Sequence, residues 1–149
     1  MNVMDGYYNN PEASNTVLSP DGWLHTGDLG VLDPDGYLYI KGRSKSLILG
    51  PSGQNIYPEE IEDLLNAQPY IAESLVIERE GKLVALVYPD AEAMKQNKIS
   101  RETLLKIIHE TRKQINQQLP AYSQIARIEI HDEEFEKTPK RSIKRFLYQ

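Results

Sequence analysis

Apolar positions change their period along this chain. Two short apolar runs, residues 29–32 and 37–40, flank Asp33-Pro34-Asp35-Gly36. Proline and glycine at successive positions of that tetrad predict a hairpin turn. The tetrad also resembles a calcium loop, but its glycine comes too early and no glutamate closes a loop of about twelve residues. Further on, Pro58 suits the first turn of a helix, Glu59 and Glu60 favour its positive end, and Ile61, Leu64 and Leu65 fall on one face. Pro69 marks its stop. Residues 73–80 and 82–88 read as two apolar strands joined at Glu80-Gly81.

The last third returns to helical spacing and then to strand. Ser100 caps a long helix in which Leu104, Ile108, Ile115 and Leu119 recur and Pro120 closes the pattern. Its polar side carries Lys106, Arg112, Lys113 and Gln114, expected to be solvated. Residues 125–130 form a third strand with Ala126, Ile128 and Ile130 facing one way. The reading is an α+β chain: a short β-hairpin region, then a small domain with a roughly three-stranded sheet flanked by helices. Residues 1–15 contain turn formers and aromatics but no period that would open a domain.

Composition narrows the function classes. The chain has 149 residues, no cysteine and a formal charge of -5. It therefore has no disulfide framework, thiol nucleophile or zinc–thiolate site of its own. His25, His109 and His131 lack metal-ligand spacing, so no metal site is expected. The acidic balance argues against general nucleic-acid binding. No apolar run reaches the length of a membrane span and the first residues do not read as a secretory signal, so the cytoplasm is the default location. Charge is unevenly placed: Asp132, Glu133, Glu134 and Glu136 precede Lys137, Lys140, Arg141, Lys144 and Arg145. Such a run is either a solvated face or, because Phe146-Leu147-Tyr148 follows, a docked amphipathic segment.

Candidate chemistry gathers between residues 23 and 61. Trp23-Leu24-His25-Thr26-Gly27-Asp28 holds an aspartate at a tight turn, where its two acceptor oxygens suit the paired hydroxyls of a ribose. Arg43, after Gly42 and one hairpin later, offers a planar donor to the same sugar or to a phosphate. Each motif alone is better explained by an ordinary turn or a surface charge. Ser44-Lys45-Ser46 is a polar break before Leu47-Ile48-Leu49, and Gly50-Pro51-Ser52-Gly53 is a loop whose glycines let backbone approach a ligand.

Taken together with Gly53-Gln54-Asn55-Ile56-Tyr57-Pro58-Glu59-Glu60-Ile61, these motifs resemble the nucleotide-contacting and hinge region of the adenylate-forming enzymes, the superfamily of acyl-CoA synthetases, luciferases and peptide-synthetase adenylation domains. The Gly6-Tyr7-Tyr8-Asn9-Asn10-Pro11-Glu12 segment running on to Asp21-Gly22-Trp23 looks most like long-chain fatty acid–CoA ligases. The resemblance implies that residues 1–43 close a large adenylating domain whose remainder lies outside this chain, that 44–46 are a hinge, and that 47–149 form a small mobile domain. It further implies ATP, CoA and a fatty acid as substrates. Magnesium would be held by the missing part, and the whole enzyme could associate peripherally with a membrane. Asp28 and Arg43 would bind the nucleotide, Lys45 would be the hinge residue, and Gly53, with Gly50, would line the path of CoA.

The tail departs from the pattern. Glu136-Lys137-Thr138-Pro139-Lys140-Arg141-Ser142 resembles a closing motif in which a lysine after a glycine reaches the forming acyl-adenylate, yet Arg141 stands at the glycine and Ser142 at the lysine. Lys144 or Lys140 through a local shift, loss of efficient adenylation, or a deliberate alteration are the explanations open at this level. The chain by itself is expected to be inactive. Two other functions compete: an adenylation enzyme that loads an acid onto a carrier protein, and a non-catalytic module that binds anions with its basic tail.

Overall fold

A computed structural model describes residues 2–149. Contacts along the backbone divide them into two compact units, with the boundary in the chain between Lys45 and Ser46.

In the first unit, α1 (Pro11–Val17) arises where the sequence shows no apolar period. Local chemistry is sufficient: the Asn10 side chain accepts a hydrogen bond from the Ala13 N–H (3.0 Å) and proline opens the helix. Strands β1 (Asp28–Leu32) and β2 (Leu38–Arg43) pair antiparallel, with Asp28 opposite Arg43. Asp33 closes the hairpin by accepting from the N–H groups of Asp35 (3.0 Å) and Tyr37 (2.8 Å). Val31, Leu32, Tyr37, Leu38, Tyr39 and Ile40 are exposed.

The second unit opens with a small ribbon of β3 (Ile48–Leu49) and β4 (Asn55–Ile56). It continues through α2 (Pro58–Asn66), β5 (Ile71–Arg79), β6 (Lys82–Pro89), α3 (Ala91–Gln96), α4 (Arg101–Gln118) and β7 (Ile125–Ile130). The sheet order is β5-β6-β7, with β5 antiparallel and β7 parallel to the central β6. The α+β architecture is as the periodicity implies. The small helix α3 and the β3–β4 ribbon are additions to it.

Both faces of the sheet are buried, which explains why β5 and β6 read as continuous apolar runs. On one face, Val76, Leu83, Ala85 and Val87 pack with Ile61 and Leu65 of α2 and with Leu104, Ile108 and Ile115 of α4. On the other, Leu75, Ile77, Val84 and Leu86 pack with Phe135, Ile143 and Tyr148 of the tail. The charged tail is thus docked rather than a free solvated face. Its hydrophobic residues cover a sheet surface that its charges leave dry.

Two local expectations need correction. On β7 the fully buried residue is Ile125 (1% exposed) rather than Ala126, because the β6–β7 register slips between Leu83 and Val84. That slip brings Ile125 and Ile128 opposite Leu83 and Ala85, which share a face. Arg112 is not solvated with its neighbours on α4: its guanidinium donates to the Ala126 carbonyl, and Asn116 both accepts from the Ile125 N–H (2.8 Å) and donates to its carbonyl (2.9 Å). The helix thereby caps the start of an edge strand whose backbone groups would otherwise lack partners.

Candidate functional site

The two residues assigned to a nucleotide are brought together. Asp28 and Arg43 face each other across the ends of β1 and β2, and the Arg43 Nε lies 3.0 Å from the Asp28 Oδ1. The Arg43 Nη1 also donates to the Thr26 carbonyl (2.9 Å), while the Asp28 N–H donates to the Thr26 Oγ1 (3.1 Å). Gly27 makes this turn possible with φ +75°, and the Ser44 N–H closes it on the Gly27 carbonyl (2.8 Å). One carboxylate oxygen remains outside the ion pair, and the Arg43 side chain is 61% exposed. The result is a fixed carboxylate–guanidinium pair with free acceptor and donor capacity. An ion pair this exposed adds little stability.

Lys45 lies in the exposed turn after β2 and is the last residue of the first compact unit. The β3–β4 connection is a tight loop in which the Gly50 N–H donates to the Gln54 carbonyl (2.8 Å) and the Gly53 N–H to the Gly50 carbonyl (2.9 Å). The two glycines differ in their reasons. Gly53 has φ +80° with open space where a Cβ would be, so conformation demands it. Gly50 is buried, and a Cβ there would lie 3.2 Å from the Gln54 Oε1 and 3.4 Å from the Gln54 carbonyl oxygen, so a side chain would fit only if Gln54 shifted by a few tenths of an ångström. Gly50 and Pro51 line a groove of about 320 Å³ with Ile56, Lys82, Tyr122 and Ala126. The Gln54 Oε1 is buried and has no hydrogen-bond partner among the described residues.

The tail forms a second hairpin. Lys137 bridges Ile143, the Thr138 N–H donates to the Ser142 carbonyl (2.8 Å) and the Arg141 N–H to the Thr138 carbonyl (2.8 Å). Arg141 has φ +63°. A turn followed by one left-handed residue is the three-residue hairpin loop whose last position favours glycine. Arg141 therefore occupies a glycine's conformation, in agreement with ungapped register, and Ser142 follows it. Arg141→Gly is expected to stabilise the unit by about 0.5–1 kcal/mol, since the relief of left-handed strain exceeds the added freedom of the unfolded chain. Urea denaturation of the variant checks this, and a loss of stability would contradict the assignment.

What sequence reasoning missed is the clamp that holds this hairpin. The Arg145 guanidinium pairs with the Glu62 carboxylate of α2 and donates to the Val76 carbonyl (3.2 Å), with the Glu59 Oε1 at 3.8 Å. Glu62 also accepts from the Val76 N–H (2.6 Å). Burial pushes the Glu62 carboxyl above the usual carboxylate range, and the Arg145 charge and the Val76 N–H act against that rise. No local signal marks these partners, which are 83 residues apart. Next to the clamp, the His131 ring stacks on Phe135 (centroids 4.8 Å apart) and Tyr148 meets both edge-on. Among the described residues no three His, Asp or Glu gather as a metal site, and no helix is long and apolar enough to cross a membrane.

A mixed three-stranded sheet with helices on one face and a hairpin tail on the other, preceded by an Asp–Arg ribbon, defines a class of small α+β module. The profile of the AMP-binding enzyme C-terminal domain matches residues 45–148, and the chain belongs to that family. It is 49% identical over 90 residues to the indoleacetate–CoA ligase of Aromatoleum aromaticum, covering 58% of this chain and 17% of that protein. It is 39% identical over 109 residues to a 2-succinylbenzoate–CoA ligase of Bacillus cereus, covering 73% of this chain and 22% of that protein. Among solved structures, the O-succinylbenzoate CoA synthetase of Bacillus subtilis in complex with AMP superposes with a TM-score of 0.69 at 29% identity, over 99% of this chain and 28% of that one. The chain thus spans about a fifth of the length of these curated relatives.

Proposed function

We propose that this chain is the C-terminal portion of an AMP-forming acid–CoA ligase, in which a carboxylate reacts with ATP to give an acyl-adenylate and the CoA thiol then displaces AMP. The observation that supports this most directly is the Asp28–Arg43 pair, held at 3.0 Å immediately before the segment that matches the AMP-binding family. Asp28 has an oxygen left to accept from ribose hydroxyls, and Arg43 has donors left for the ribose or a phosphate. The names of the two ligases similar to this chain support the choice of CoA as acceptor.

In this reading residues 1–43 close the large domain, 44–46 are the hinge with Lys45 at its centre, and 47–149 are the mobile domain. Rotation about Lys45 presents the tail hairpin, with Lys140 and Lys144, during adenylation and the Gly50–Gly53 loop during thioester formation. Magnesium supplies charge neutralisation on the phosphates, its ligands lying outside this chain. A fatty acid is the carboxylate favoured by the segment from Gly6 to Trp23. Indoleacetate and 2-succinylbenzoate, the acids named for the two relatives, are aromatic and belong in the same comparison.

The test is acid-dependent release of pyrophosphate and AMP by the protein that carries the large domain, with fatty, arylacetic and succinylbenzoic acids, with and without CoA. AMP release that requires CoA supports the ligase. Adenylation that ignores CoA and proceeds with a carrier protein overturns it. The 149-residue chain alone is expected to form no adenylate with any acid, and measurable turnover by it would contradict the domain assignment.

A further inference from the structure

Strand β7 is the outer strand of its sheet, and part of its backbone is left open. The order β5-β6-β7 puts β6 on one side of it and, among the described residues, no strand on the other. The His131 N–H donates to the Val87 carbonyl (2.8 Å), so residue 131 turns its backbone towards β6. Backbone direction alternates along a strand, and residues 127 and 129 therefore also point inward while 128 and 130 point outward. The Ala126 carbonyl, which accepts from Arg112, agrees with that phase. Helix α4 caps residues 125 and 126 only. The outward N–H and C=O groups of Ile128 and Ile130 have no hydrogen-bond partner among the described residues. An open row of this kind is a template for a further strand.

The side chains beside this edge are complementary to themselves. Arg127 lies opposite Val84 and Glu129 opposite Leu86, so both are on the sheet face that carries the tail. Ile128, opposite Ala85, is on the face of α4. When two copies of β7 run antiparallel with Ile128 against Ile128, Arg127 of each copy stands beside Glu129 of the other. On the α4 face, a groove of about 340 Å³ has Leu105, Ile108, His109 and Ile128 in its lining. Leu105 is 52% exposed. The same two-fold axis sets the two α4 helices side by side and covers Leu105 in both copies. Little ordering is required of α4, which is already fastened to β7 through Arg112 and Asn116 and, at its other end, through Arg101 on the Asp132 carboxylate (2.5 and 3.1 Å).

We propose that the outer edge of β7 is a self-association surface, on which two copies of this chain join by antiparallel pairing centred on Ile128. Two three-stranded sheets then become one sheet of six strands. The interface uses the same patch on both copies and closes at two, so it leads to a dimer rather than a fibre. Arg127 and Glu129 set its register. Pairing centred one residue to either side would put Arg127 against Arg127 or Glu129 against Glu129, which costs free energy instead of releasing it. A second copy supplies both charges in reverse order, whereas a uniformly acidic or basic segment would match only one of them. The proposal does not depend on the ligase reading.

The test is the oligomeric state of the whole 149-residue chain by sedimentation equilibrium. The unaltered chain is expected to show a mass that rises with concentration towards twice its own. Arg127→Glu and Glu129→Lys are each expected to weaken the dimer about tenfold, since each sets like charges together twice. An equimolar mixture of these two variants is expected to recover the original association, because the mixed pair has opposite charges at both contacts. The side chains of Arg127 and Glu129 are 51% and 36% exposed, so neither change is a folding defect. The chain has no cysteine, and Ile128→Cys therefore introduces its only thiol. Its Cα would lie about 5.5 Å from that of the second copy, within reach of a disulfide. Mild oxidation is expected to link Ile128→Cys about tenfold faster than Ser142→Cys, whose thiol would be exposed on the tail. A chain that stays monomeric up to about 1 mM overturns the proposal. So does a dimer that ignores both charge reversals, a mixture no stronger than its components, or a cysteine at 128 that links no faster than the one at 142.

Discussion

Replacing Arg145 by methionine is expected to destabilise the Ser46–Gln149 unit by about 3–5 kcal/mol, because it leaves the Glu62 carboxylate buried without its counter-charge. The side chains of Arg145 and Glu62 are only 19% and 11% exposed, so solvent screens the pair weakly. A domain of this size has about 5–15 kcal/mol of stability in total, and the loss is a large fraction of it. The effect should be much smaller when both charges are removed. Glu62→Gln with Arg145→Met keeps an acceptor for the Val76 N–H and leaves no unpaired ion, so most of the stability is expected to return. Urea denaturation of the two single variants and the double variant measures the coupling. A cost below about 1 kcal/mol for Arg145→Met would mean that the pair behaves as an exposed one.

The same site has a defined pH dependence. Burial raises the Glu62 carboxyl above its ordinary value of 4.5, so folding favours the protonated form. The favourable contribution of a raised group is fully present below its unfolded value and is lost as pH climbs through its folded value. Without Arg145 the folded value rises further. The stability of Arg145→Met is therefore expected to fall more steeply than that of the unaltered chain as pH rises above about 4.5, and Glu62→Gln is expected to remove the difference.

Asp28→Ala is expected to weaken AMP binding by the protein carrying the large domain about 100-fold. A carboxylate accepting from a ribose hydroxyl contributes about 1.5–3 kcal/mol per hydrogen bond, and the free Asp28 oxygen is set at the open end of the β1–β2 ribbon. The ribbon itself should survive. Its Asp28–Arg43 ion pair is exposed and its turn is held by Thr26, Gly27 and Ser44. Asp28→Asn keeps the shape and loses the charge, so its affinity should fall between the two. Calorimetric titration with AMP measures all three, and an Asp28→Ala affinity within threefold of the original would remove Asp28 from the nucleotide site.

Much of this was legible from local pattern. The Asp33 to Gly36 turn, the Ser100 cap and the Glu80-Gly81 hairpin depend on residues a few positions apart, where turn and cap chemistry decides. The Ser100 hydroxyl accepts from the Thr103 N–H (3.2 Å), and Glu80 and Gly81 have φ of 54° and 73°. The pairing of Asp28 with Arg43 was legible for the same reason, since one hairpin connects them. Helix α1 was missed because a single cap and a proline, not an apolar period, start it.

The alternation of residues thus determined by itself the α+β class and the order of the main helices and strands. Only the tertiary structure decided where the tail lies, which of its cations are neutralised, and that Arg141 rather than a glycine carries the left-handed turn. The reason is physical: local hydrogen bonds and side-chain period act over a few residues. The Arg145–Glu62 clamp, the slip that buries Ile125, and the reach of Arg112 to Ala126 form only when segments distant along the chain are packed together and burial makes an unpaired charge or carbonyl costly.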